Sequence, residues 1–82
     1  PFYQPLSQKE KARQCYEQAL TLFAGDHIDE AVSLLRDALE KDALLKEAYE
    51  VLGVILSRQN QLDEAIVLMK KLADLDPDEV MA

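Results

Sequence analysis

One fixed step along the chain carries Ala19 to Gly53, Leu22 to Leu56 and Asp29-Glu30-Ala31 to Asp63-Glu64-Ala65. The same step carries Val32 to Ile66, Leu34 to Leu68, Leu35 to Met69, Ala38 to Leu72 and Asp42 to Asp76. A period of this length, ~34 residues, makes each copy a supersecondary unit that cannot bury its apolar face alone. Copies must stack, and stacked solenoids present extended surfaces that hold other proteins.

Local signals say what each unit is made of. Pro1 and Pro5 deny the first residues a helix, so residues 1–6 read as an extended arm. Ser7 with Glu10 three residues on forms a capping-box pattern and opens a helix that runs to Gly25, the residue type suited to a left-handed helix end. Asp26 is the expected N-cap of a second helix whose apolar face is Ile28, Ala31, Val32, Leu35, Ala38 and Leu39, ending near Lys41-Asp42. A third helix is expected from about Leu45 to Gln59. After an Asn60-Gln61 turn, a fourth runs from Leu62 until Asp76-Pro77 stops it. With connections this short, successive helices are antiparallel. Leu34 and Leu68 lie off the main apolar faces, which suits helices sandwiched between neighbours.

Charge and composition narrow the function. The chain of 82 residues carries a net charge of −7, with +1 over residues 1–25 and −8 over the rest. Nucleic acid requires clustered Lys and Arg, and an anionic membrane surface does too, so neither is expected as a ligand. No apolar run approaches the ~18 residues of a membrane span. The single cysteine, Cys15, lies inside a helical pattern and reads as a small core residue. It forms no internal disulfide and suits a reducing compartment, so a cytoplasmic location is expected.

Reactive constellations are missing from the pattern. His27 is the one histidine, and Asp29 and Glu30 beside it read as first-turn partners of a helix dipole rather than metal ligands. Ser7, Ser33, Ser57 and Cys15 have no His–acid partners in sequence context, and no Gly-rich phosphate loop is present. The expectation is a non-enzyme without metal or cofactor.

The second copy of the period resembles a tetratricopeptide repeat. Counted from Lys46, Tyr49 stands at the family's Trp position, Leu52-Gly53 at Leu-Gly and Leu56 at the Tyr position. Ala65, Met69, Leu72 and Pro77 fill the Ala, Phe, second small-or-apolar and closing Pro positions. The first copy, residues 12–45, fits at Cys15, Ala19, Leu22, Ala31, Leu35 and Ala38, and departs at Gln18 and Ala43. The resemblance implies an all-α fold: antiparallel helical hairpins stacked as a short right-handed solenoid, repeat one at 12–45 and repeat two at 46–79. Gly53 and Ala19 would let the paired helices approach, with overpacking by ~1–3 kcal/mol if enlarged. Val80-Met81-Ala82 match the opening of a third repeat, so the expectation is that the natural chain continues or that another surface covers helix 62–75.

The resemblance also implies where partners bind. The family's concave groove is lined by the first helix of each repeat, which here places Arg13, Tyr16, Leu20, Phe23 and Ala24 beside Glu47, Glu50, Val54, Ser57 and Arg58. The clamp that some members use to grip chaperone C-terminal carboxylates needs Lys and Asn where this chain has Tyr16, Leu20 and Val51, so that ligand is not expected. What is left suits an apolar or helical segment of another protein or peptide. The alternative is a homo-oligomer, self-associating through the bare face of the last helix (Leu62, Ile66, Met69 and Leu72) or through swapped terminal helices. In that alternative the arm residues Phe2 and Tyr3 dock on a neighbour; they could also fill the groove in cis.

Overall fold

A computed structural model describes residues 6–75, which form four helices and, among these residues, no strand. They are α1 (Gln8–Ala24), α2 (Ile28–Lys41), α3 (Lys46–Arg58) and α4 (Leu62–Leu75). α1 packs on α2 and α3 on α4, while α2 and α3 join the two hairpins. The arm with Phe2 and Tyr3, the Asp76-Pro77 stop and the Val80–Ala82 segment lie outside the described residues.

The start of α1 follows from its capping box. The Ser7 Oγ accepts from the Glu10 N–H at 3.1 Å, and the Glu10 carboxylate accepts from the Ser7 N–H at 3.0 Å. Two helix-end donors are satisfied reciprocally. These hydrogen bonds from Ser7 hold the Glu10 carboxyl below the usual carboxylate range.

The end of α1 differs from the sequence expectation. Gly25 keeps φ at −88°, and Asp26 is the residue in the left-handed region, at φ 68°. The His27 N–H donates to the Leu22 carbonyl at 2.8 Å and the Asp26 N–H to the Phe23 carbonyl at 3.0 Å. That pair of bonds is the Schellman arrangement, with Asp26 at the position glycine usually takes. Asp26 is therefore spent on the turn, and the N-cap of α2 is His27, which makes no side-chain capping bond. Asn60 repeats this turn one period later at φ 63°, with Gln61 N–H to Leu56 carbonyl at 2.8 Å and Asn60 N–H to Ser57 carbonyl at 3.1 Å. The period thus extends to backbone geometry.

The core runs through the middle of the stack. Leu35, Leu52, Ile55 and Leu56 are its largest fully buried side chains; each is worth about 1.5–3 kcal/mol relative to exposure. Small residues bring the helices close: Ala12, Ala31, Ala38 and Ala48 have no exposed surface. Cys15 is half-buried and packs against this core. Among the described residues, a Cβ at Gly53 would meet the Met69 methyl, at 2.6 Å. That is the mobile end of a flexible chain, so alanine at Gly53 displaces Met69 instead of the helix.

A tyrosine of the core anchors the connection between the hairpins. Tyr49, 6% exposed, donates its hydroxyl to the Ala43 carbonyl at 2.7 Å. It thereby fixes the α2–α3 connection, where the Asp42 carboxylate also accepts from the Leu44 N–H at 3.0 Å. Burial, with Asp42 nearby, raises the Tyr49 hydroxyl pKa.

Candidate functional site

α1 and α3 occupy equivalent places in successive hairpins, and two contacts join them. Arg13 on α1 pairs with Glu47 on α3 at 3.6 Å, and the Arg13 guanidinium lies 5.8 Å from the centre of the Tyr16 ring. Further along, Arg58 of α3 sits 5.9 Å from the centre of the Phe23 ring of α1. Between these two contacts along the helices stand Leu20 and Val54, one period apart and 37% and 48% exposed. The face therefore has an apolar middle closed at each end by an arginine over an aromatic ring, a pairing worth ~0.5–1 kcal/mol at exposed sites.

Most groove residues expected from the sequence lie open. Tyr16, Phe23 and Glu50 are half-buried, while Arg13, Leu20, Glu47, Val54, Arg58, Ala24 and Ser57 are exposed. Tyr16 and Phe23 also pack against the core, so they serve the fold and the face together. Next to Phe23 and Arg58 a cavity of about 480 Å³ opens at the end of the hairpins, bounded also by Asp26, Ile28, Ile55 and Gln59.

A second surface lies on α4. Leu62, Ile66 and Met69 are 52%, 53% and 39% exposed. With Ser57, Ala65, Lys70 and Ala73 they line a shallow depression of about 450 Å³, almost wholly apolar. Leu72 does not belong there: it is 5% exposed and turned into the core. Its place on the wheel, opposite the solvent side and level with Leu68, explains why. Val67, 50% exposed, stands apart from this depression, about a third of a turn round α4 and beyond Asp63 and Lys70, and was not among the expected residues. Its signal was available: Val67 stands one period after Ser33, an apolar residue where the first hairpin has an exposed polar one. Leu44, 63% exposed at the α2–α3 connection, has no counterpart in the period.

The two hairpins are also tied on their outer side, where Arg36 of α2 hydrogen-bonds Glu64 of α4. This bond lowers the Glu64 carboxyl pKa and raises that of Arg36. Like Arg13–Glu47 it is solvent-exposed, so each pair is worth ~0–1 kcal/mol. His27 lies 3.8 Å from the Glu30 carboxylate. Among the described residues no group of His, Cys, Asp and Glu is placed to hold a metal ion, and no helix is long and apolar enough to cross a membrane.

These features define a helical-hairpin stack with an exposed, partly apolar face on α1 and α3. The model of the tetratricopeptide repeat matches residues 2–26 and 46–79, well over half of the 82-residue chain. The chain belongs to the tetratricopeptide-repeat family, whose repeats mediate protein–protein interaction. The first matched stretch ends at the turn after α1, so α2 lies outside both stretches, although Ala31, Leu35 and Ala38 keep the periodic step to Ala65, Met69 and Leu72. No curated protein and no solved structure matched the chain.

Proposed function

We propose that the chain is a non-catalytic scaffold that binds an apolar or helical segment of another protein along the α1–α3 face. The observation that carries this reading is the Leu20–Val54 pair, exposed between the Arg13–Glu47 and Arg58–Phe23 contacts. Two large apolar side chains facing water on adjacent helices, rimmed by charges of both signs, fit the apolar anchors and polar flanks of an amphipathic helix. Tyr16 and Leu20 supply neither the ammonium nor the amide that a peptide's terminal carboxylate needs, so carboxylate tails are not the ligand. The repeats run over 12–45 and 46–79, and a reducing, cytoplasmic setting suits the single half-buried Cys15.

The test is selection from a peptide display library against the wild-type chain. The expected result is enrichment of peptides with apolar residues at i, i+3 or i+4, lost with Leu20→Glu or Val54→Glu and kept with Ile66→Glu. Enrichment that ignores Leu20→Glu and Val54→Glu, or that selects free terminal carboxylates, contradicts the reading.

A second reading, self-association, is favoured by the bare α4 face. Leu62, Ile66 and Met69 are exposed together over one apolar depression, the kind of surface that marks an interface.

A further inference from the structure

We infer that α4 pairs with α4 of a second copy, antiparallel about a two-fold axis, through Leu62, Ile66, Met69 and Ala73. This inference rests on the self-association reading and adds to it the partner helix, its direction and its register. The four residues are spaced by four, three and four, which is the spacing of a helix-pair seam. The first three are 39% to 53% exposed.

Charge decides the direction. With the seam at d, a, d, a, the g flank is Ala65 and Leu72 and the e flank is Asp63 and Lys70. Ala65 and Leu72 are each 5% exposed and belong to the chain's own core. In a parallel pair the e flank faces the partner's g flank, so both charges meet apolar side chains. In an antiparallel pair e faces e, and Asp63 meets Lys70 of the second copy twice across the axis. The layers agree with this register: Leu62 stacks on Ala73, and Ile66 on Met69, so a large residue meets the smallest in the outer layers. Neither Asp63 nor Lys70 is in an ion pair among the described residues.

Self-pairing of α4 also fits better than head-to-tail stacking onto α1. The outer face of α1 carries Gln14, Glu17, Gln18 and Thr21, all exposed and polar, and among the described residues offers no apolar surface to match α4. The same-surface contact closes a dimer and stops there.

The experiment is sedimentation equilibrium of the full chain from low micromolar to submillimolar concentration, with three variants whose fold is checked by circular dichroism. The wild type is expected to show a monomer–dimer equilibrium with no larger species. Ile66→Glu, at an exposed position, is expected to weaken it by roughly tenfold or more. Asp63→Lys and Lys70→Asp each place like charges face to face, and each alone is expected to weaken the dimer by roughly tenfold. Mixed together, these two variants regain opposite charges at both e–e contacts and form a heterodimer near wild-type strength. A wild type that stays monomeric throughout overturns both the self-association reading and the inference, and leaves α4 to a foreign helix. A dimer that ignores Ile66→Glu, or whose two charge variants do not rescue each other, overturns the inference while self-association stands. Oligomers beyond the dimer also overturn it.

Discussion

Leu35 and Met69 stand one period apart, at the same point of their hairpins, yet Leu35 has no exposed surface and Met69 is 39% exposed. The difference recurs along both helices. Val32 is half-buried where Ile66 is 53% exposed, and Ile28 is half-buried where Leu62 is 52% exposed. Side-chain chemistry does not account for this, because apolar residues occupy both sets of positions. The cause is the neighbour: α3 lies against α2, and nothing among the described residues lies against the matching face of α4. α1 and α3 show the same effect in reverse. α3 buries six residues between two neighbours, while α1, at the edge, buries only Ala12 and Ala19. In a stacked fold, a residue's place in the period says which way it faces; its place in the stack says whether it is covered.

The comparison breaks most directly at its two named residues. Leu35→Ala should cost about 2–5 kcal/mol, since it opens a cavity in the core. Met69→Ala, in dilute protein, should cost about 1–2 kcal/mol, less than Leu35→Ala, because part of the side chain is already in water although its methyl packs near Gly53. Chemical denaturation measures both. Equal losses at the two positions would mean that the α4 face is covered.

The next effect concerns Tyr49, whose counterpart one period earlier is Cys15, a residue with no hydroxyl to offer. Tyr49→Phe should lose about 1 kcal/mol by leaving the Ala43 carbonyl without its donor. An unchanged denaturation midpoint would show that water replaces the hydroxyl.

A smaller effect, of opposite sign, sharpens the point that the turns are equivalent. Asp26→Gly and Asn60→Gly should each stabilise by about 0.5 kcal/mol, because both positions have positive φ. Thermal melts showing a gain at one turn and a loss at the other would break the equivalence.

The smallest effect is in acid. The Glu10 and Glu64 carboxyls have folded pKa values below their ordinary value of 4.5. Their contribution is therefore fully present above pH 4.5 and disappears as pH falls through the lowered folded values. Glu10 is exposed and Glu64 half-buried at the surface, and the gain is small. Glu10→Gln and Glu64→Gln should each make the stability loss below pH 4.5 shallower, read from denaturation midpoints at stepped pH. Of the two, only Glu64→Gln weakens the tie between α2 and α4.

Local signals in the sequence located all four helices and the capping box at Ser7 and Glu10, and the period located the small residues Ala19, Ala31, Gly53 and Ala65. These are local or pairwise properties, and a single chain displays them. Three features escaped it. Gly25 looked like the left-handed residue, but the turn is fixed by the bond from the His27 N–H to the Leu22 carbonyl, which places Asp26 at positive φ. Leu72 looked like part of the bare face, yet it shares the core side of α4 with Leu68. The expected groove held, in equal standing, residues of three kinds: Tyr16 and Phe23, which also pack inside; Leu20 and Val54, which face water; and Glu50, which is half-buried. Periodicity alone does not separate these, because it does not record how far each neighbouring side chain reaches.

The central claim is that the chain has two separate faces, a groove of α1 and α3 for a partner's apolar segment and a seam on α4 for a second copy. Methyl-detected NMR separates them in one sample. Diluting the free chain should shift the Leu62, Ile66 and Met69 methyls and leave Leu20 and Val54 in place. Adding a display-selected peptide at fixed chain concentration should shift Leu20 and Val54 and leave the α4 methyls in place. Peptide shifts confined to α4, or one set of methyls responding to both titrations, would contradict the account.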